Sequence, residues 1–156
     1  MVSLFRIDFR LLHFMTSKVW PTKLGIDTIV VANDAAVGDA LRTSLIRMSA
    51  PPTSELFIMT VDDAAKWLAG DQDESRHVEL LVESTADALS LVRVVPGLSE
   101  LNVALTPGGE GKVMLTPSLG FAPEDFENMR EILAAGVDAQ AYVAPDDRRV
   151  PMAELL

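Results

Sequence analysis

Short β-rich runs alternate with longer helical patterns along the whole chain, and this alternation limits the fold more than any other feature. Strand-like runs cover residues 2–7, 27–32, 55–60, 77–82, 101–105 and 137–143. The stretch Thr28-Ile-Val-Val-Ala32 is strongly β-branched, the composition that suits a pleated, packed strand. Most of these runs are almost continuously apolar, with no in–out alternation. Strands of that kind are buried on both faces, which predicts a parallel sheet covered by helices above and below. Helical patterns lie between them, at 37–48, 61–68, 84–94 and 123–135. In the first of these, Val37, Leu41, Leu45 and Met48 recur at spacings of three and four, marking an amphipathic helix. Pro51-Pro52 ends it, Ser84 is a plausible N-cap, Pro123 opens the last helix and Gly136 closes it. A short strand at 112–115 pairs with residues near Leu119 as a small hairpin, within 112–120. The tail, 150–156, forms a final turn or short helix. The expectation is one doubly wound α/β domain over 1–156, with a mostly parallel central sheet flanked by helices on both faces.

Composition removes several function classes. No apolar run approaches the roughly 20 residues needed to cross a bilayer. No cationic segment followed by an uninterrupted apolar one marks a signal peptide. The chain contains no cysteine, which excludes disulfides, thiolate nucleophiles and thiolate metal sites, and which fits a reducing cytoplasm. A net charge of −10 disfavours nucleic-acid phosphates as partners. Against that acidity, Arg6, Arg10, Lys18 and Lys23 stand near the N-terminus with Asp8 as the one nearby acid. A positive patch on an acidic protein suggests a bound anion or an acidic partner.

In open α/β sheets, ligands bind beyond the carboxyl ends of the strands. That rule gathers residues 8–17, Asn33 and Asp34, 60–63, 83–85 and 105–109 on one edge. His13 lies there, between the first strand and a helix start, with Arg6 and Arg10 nearby. An imidazole nitrogen can attack phosphorus, arginine forks match phosphate oxygens, and N–H groups at a helix start stabilise an anion. A satisfied, partly buried histidine beside surface arginines fits the same local pattern, and the residues alone leave both readings open. The two histidines are far apart in sequence, so no metal site is expected. No G-x-S-x-G elbow exists, and Pro107-Gly-Gly-Glu-Gly111 matches neither a Walker loop nor a dinucleotide fingerprint.

The segment Arg6-Ile-Asp-Phe-Arg-Leu-Leu-His13 resembles the active-site segment of IIB components of the mannose/fructose/sorbose family of the bacterial sugar phosphotransferase system, approximately R-[IV]-D-[DS]-R-L-I-H-G-Q. Further similarities run in order along the chain: Trp20 with Leu24-Gly25, Val30-Val-Ala-Asn-Asp34, Ala50-Pro-Pro52, Leu80-Leu-Val82, Glu100-Leu-Asn-Val103 and Ala134-Ala-Gly-Val137. The resemblance implies a cytoplasmic domain, peripheral to the inner membrane, whose His13 accepts a phosphoryl group from a IIA phosphohistidine. It passes that group to a sugar held by the membrane components IIC and IID. The resemblance also implies a homodimer and no cofactor. Arg10 is then expected to neutralise phosphoryl oxygens, with Arg6 as a second candidate, and Asp8 to orient an arginine or the imidazole. Backbone N–H groups of Phe14, Met15 and Thr16 form the anion nest. The hydroxyls of Thr16 and Ser17 either add donors or cap the helix. Asn33 and Asp34 match a strand end on the same edge, with helix capping as their other reading.

The departures from the pattern fall at the site. Phe9 stands for an acid or small polar residue, Phe14 for the glycine after the histidine, and Met15 for a glutamine. Ala104-Leu105 replaces a Gly-rich pair. The nucleophile and both arginines are retained. The alternative these changes raise is a IIB-like regulatory or partner-binding protein that no longer transfers phosphoryl groups.

Overall fold

The chain winds about a central sheet with the strand order β3-β2-β4-β1-β5-β8-β9. The structure is a computed structural model that describes residues 1–70 and 73–156. The strands are β1 (Val2–Asp8), β2 (Thr28–Ala32), β3 (Glu55–Met59), β4 (Val78–Val82), β5 (Glu100–Leu105), β8 (Asp138–Ala141) and β9 (Val150–Pro151). All neighbours pair in parallel except β9, which runs antiparallel to β8 at the edge. A separate antiparallel hairpin, β6 (Val113–Thr116) and β7 (Leu119–Phe121), occupies the predicted place. Gly120 of that hairpin lies against the loop after β5. A Cβ there would stand 2.6 Å from the Pro107 carbonyl oxygen, so only glycine fits.

Helices α4 (Val61–Ala69), α5 (Thr85–Val94) and α6 (Pro123–Ala134) cover one face of the sheet. Strand side chains Phe5, Ile7, Val30, Leu80, Val82, Leu101 and Val103 meet Ala64, Ala88, Leu91, Met129 and Ile132 there. The other face is covered by α1 (Trp20–Leu24), which continues a π-helical turn (Met15–Val19), and by α2 (Asp34–Val37) and α3 (Ala40–Ser49). Its apolar cluster is smaller: Leu11, Leu12, Ile26, Ile29, Val31, Ala36, Ile46 and Leu81.

Thr60 and Ser84 cap their helices by accepting from the N–H groups of Asp63 and Asp87. Gly25 and Gly136 take positive φ just past α1 and α6. The predicted helix at 37–48 is two helices. The chain breaks at Gly38, and Asp39 caps α3 by accepting from the Arg42 N–H at 3.1 Å. Its apolar stripe also faces the opposite way from an ordinary amphipathic helix: Leu41 is 72% exposed, Met48 82%, and Val37 and Leu45 are exposed too. Ile46 makes the buried contact instead. The final strand is shorter than the predicted 137–143, because the chain beyond Ala141 leaves the ladder to supply carbonyls to the site described next.

Candidate functional site

Strand β1 lies at the centre of the sheet, between β4 and β5, where the winding reverses. Its carboxyl end, Asp8, therefore opens into the crevice where doubly wound folds place ligands. The chain then makes a tight loop. The Phe9 N–H donates to the Leu105 carbonyl at 3.1 Å, tying the loop to the end of β5. The Leu11 N–H returns to the Asp8 carbonyl at 2.9 Å, and the Arg10 N–H donates to Asp8 Oδ1 at 3.1 Å. Leu11 has φ +54°, the only non-glycine residue in the left-handed region among the described residues. That conformation costs about 1–2 kcal/mol. Full burial of Leu11 and Leu12 in the smaller apolar cluster holds it in place.

Thr16 locks the other end of the loop. Its hydroxyl accepts from the His13 N–H at 2.9 Å and donates to the Leu11 carbonyl at 2.8 Å. The Ser17 N–H donates to the His13 carbonyl at 2.7 Å. Thr16 and Ser17 are buried, so the Thr16 hydroxyl acts inside the loop. The N–H groups of Phe14, Met15 and Thr16 remain as the first donors of the helical segment, with no preceding turn to accept from them.

Beneath this loop lies a buried polar row. Asp8 Oδ2 takes three bonds: from His13 Nε2 at 2.7 Å, from Arg6 Nε at 3.1 Å and from Arg6 Nη2 at 3.0 Å. Arg6 Nη1 donates to Asn102 Oδ1 at 2.9 Å and to the Val143 carbonyl at 2.8 Å. Asn102 is fixed in turn by donating to the Tyr142 carbonyl at 2.7 Å, and Trp20 Nε1 donates to the Val143 carbonyl at 3.2 Å. Arg6 and Asp8 are fully buried, while the His13 side chain keeps 14% exposure.

The charges follow from these contacts. Burial pushes the Asp8 carboxyl up, but the hydrogen bond from His13 and the Arg6 charge outweigh it and hold it below its ordinary value. Burial lowers the Arg6 guanidinium, and Asp8 opposes that effect. Asp8 is therefore a carboxylate and can only accept. The hydrogen of that bond therefore comes from His13 Nε2, and Nδ1 has no hydrogen-bond partner among the described residues.

The structure thus brings together His13, Asp8 and Arg6, and sets Phe14, Met15 and Thr16 at the helix start beside them. Arg6 is engaged with Asp8, Asn102 and Val143 at the bottom of the row. The Arg10 guanidinium is exposed and has no hydrogen bond or ion pair among the described residues. Phe14 is 69% exposed. Asn33 and Asp34 serve the same edge differently. Asn33 Oδ1 caps α2 by accepting from the Ala36 N–H, and its amide donates to Glu83. Asp34 Oδ1 accepts from the Val61 N–H at 2.8 Å. These bonds tie together the ends of β2, β3 and β4, and neither residue reaches His13.

Sequence reasoning gave no site role to Asn102, Trp20 or the Val143 carbonyl. The signal for Asn102 lay in register: it stands opposite Arg6 across the β1–β5 pair. A polar residue inside an otherwise apolar strand needs a buried partner.

Comparison with known proteins gives the family and the fold. A family model described as PTS system sorbose subfamily IIB component matches residues 2–156. A protein of Streptococcus pyogenes described as a probable phosphotransferase enzyme IIB component is 28% identical over 162 residues, covering 100% of this chain and 99% of that protein. The crystal structure of the IIBSor domain of the sorbose permease from Klebsiella pneumoniae superimposes with a TM-score of 0.93 at 27% identity, covering 99% of this chain and 95% of that one. The mannose-specific EIIAB component of Escherichia coli is 23% identical over 155 residues, which span 99% of this chain and 48% of that longer protein.

Proposed function

The chain belongs to the sorbose-subfamily IIB components of the bacterial sugar phosphotransferase system, and from that premise we propose that His13 is its phosphoryl acceptor, through Nδ1. The observation that carries this reading is the bond from His13 Nε2 to the buried Asp8 carboxylate at 2.7 Å. It orients the ring and commits the proton, so the other nitrogen faces outward as a nucleophile.

In the first step the Nδ1 lone pair attacks the phosphorus of a IIA phosphohistidine. The donor's N–P bond breaks, and its electron pair returns to the donor imidazole. The new phosphoimidazole of His13 carries positive charge that Asp8 offsets through the Nε2 hydrogen. In the second step a sugar hydroxyl attacks the phosphorus, the Nδ1–P bond breaks, and its electrons return to the ring. Arg10, free of other partners, neutralises phosphoryl oxygens in both steps. The N–H groups of Phe14, Met15 and Thr16 add donors. Arg6 acts from below by holding Asp8 as an anion. The Ser17 hydroxyl and the pair Asn33 and Asp34 have supporting parts only.

The sugar is presented by IIC and IID, which places this domain on the cytoplasmic side of the inner membrane. The IIAB name of the Escherichia coli relative supports a IIA partner. Residues 1–156 act as one IIB domain, and the homodimer remains part of this proposal.

Incubation with a phosphorylated IIA donor is expected to give an acid-labile, base-stable phosphoprotein. His13→Ala abolishes the label, and Asp8→Asn slows labelling by roughly a hundredfold, the scale for losing one electrostatic partner of a developing charge. Labelling that persists in His13→Ala contradicts the assignment. The exposed Phe14 beside His13 favours a second reading, a partner-binding protein without phosphoryl transfer. That reading predicts donor binding without label.

A further inference from the structure

The buried polar row does not end at Arg6. Glu79 of β4 stands between Leu4 of β1 and Ile29 of β2. Side chains alternate along a strand, so Glu79 lies on the face of Leu81, the same face as Arg6 and Asp8. It is fully buried, and neither of its carboxylate oxygens has a hydrogen-bond partner. No other side chain among the described residues is left this way. Burying an unpaired carboxyl is costly, and a plain apolar residue would fill the position without that cost.

The surroundings of Glu79 point to its role. The charged groups acting on it are Arg6, which favours its anion, and Asp8, which opposes it. Burial outweighs both and pushes the carboxyl up to about 8. Arg6 meanwhile spends Nε, Nη1 and one Nη2 hydrogen on Asp8, Asn102 and Val143. Of its five N–H donors, one on Nη2 is left without an acceptor among the described residues. An anionic Glu79 attracts the Arg6 guanidinium through its charge, whereas a neutral one does so only weakly.

We propose that Glu79 is a positioning residue for phosphoryl acceptance at His13. As an uncharged acid it leaves the Arg6 guanidinium committed to Asp8, and so keeps Asp8 and the His13 ring in place. Ionised Glu79 divides the Arg6 charge between two carboxylates and adds a negative charge to the row. Asp8 lies four residues beyond Leu4, the partner of Glu79, or about 13 Å along the sheet. The phosphoryl group on His13 lies just beyond Asp8, and its two negative charges make ionisation of Glu79 shift its balance by about three- to tenfold.

This proposal rests on His13 as the acceptor, and the experiment separates the two claims. Wild type and Glu79→Gln are labelled to equilibrium with a phosphorylated IIA donor from pH 6.5 to 9.5. The extent of labelling in wild type relative to the variant is expected to fall about three- to tenfold across pH 8. Profiles that overlay overturn the role of Glu79 and leave His13 as acceptor. A wild type that takes no phosphoryl group overturns both. A donor-free measurement runs alongside, following the His13 ring nitrogens by 15N NMR over the same range. Wild type is expected to show an inflection near pH 8 that Glu79→Gln lacks. Glu79→Met reads the same way if the amide disturbs folding. An inflection that survives in both variants overturns the proposal.

Discussion

The two faces of the sheet are built to opposite rules. Under α4, α5 and α6 the strands present Phe5, Ile7, Leu80, Val82, Leu101 and Val103 to a large apolar cluster. Under α1 to α3 the same strands present Arg6, Asp8, Glu79 and Asn102, all buried, beside a smaller cluster. Each apolar side chain on the first face contributes about 1.5–3 kcal/mol by leaving water. On the second face, buried charge costs energy unless it is paired. One face carries the stability that lets the other hold a strained, charged site.

The largest effect is expected on the polar side. Arg6→Met leaves Asp8 as a buried anion without its guanidinium and is expected to cost about 3–5 kcal/mol. Denaturant unfolding measures that loss, and labelling of His13 falls with it. Leu80→Ala on the apolar face is expected to cost about 2–5 kcal/mol through the cavity it leaves. Labelling per folded molecule stays at the wild-type rate, because the polar row is untouched. A loss of labelling in the folded Leu80→Ala protein contradicts the division of labour.

Glu79 gives a pH-dependent version of the contrast. Its carboxyl titrates near 4.5 unfolded and is pushed up to about 8 when folded. Between those values the folded state holds a proton that the unfolded state has released, so stability falls as pH rises. Glu79→Met removes this dependence. Its stability advantage over wild type is expected to grow by up to about 1.4 kcal/mol per pH unit from pH 5 to pH 8 and then level off. Thermal unfolding at pH 5, 6.5 and 8 measures it, and an advantage that is flat with pH contradicts burial of a neutral acid. The smallest effect is expected on α3. Leu45→Ser, at an exposed position of the apolar stripe, changes stability by less than about 0.5 kcal/mol. A large loss there would mean that the stripe is covered in the folded protein.

The contrast between the faces was only partly legible in the sequence. The strands stood out because continuous apolar, β-branched runs have few other homes, and their ends fall within one residue of expectation, apart from the last, which ends two residues early. The stretch 37–48 forms two helices, with its stripe outward, for a physical reason. Spacings of three and four identify an apolar stripe but not which way it points, and the Gly38-Asp39 break placed Ile46 inward instead. The loop around His13 was legible as a site, since arginines, an acid and a histidine cluster within eight residues. Its division of labour was not. Arg10 is the first candidate for the phosphoryl oxygens in sequence and Arg6 the second, but only the fold shows Arg6 locked under Asp8 and Arg10 without a partner among the described residues. That difference depends on Asn102 and Val143, which meet Arg6 only through the register of β1, β5 and β8. The left-handed Leu11 carried no sequence signal, because nothing in a leucine announces a positive φ.

In the proposed function, Asp8 commits Nε2 of His13 and leaves Nδ1 to take the phosphoryl group. Protein labelled with 15N at histidine, phosphorylated by its IIA donor and observed by 1H–15N and 31P NMR, tests this most directly. A single phosphohistidine is expected, on Nδ1 of His13, with Nε2 still carrying its proton. A phosphoryl group on Nε2, on His77, or on no histidine at all would contradict it.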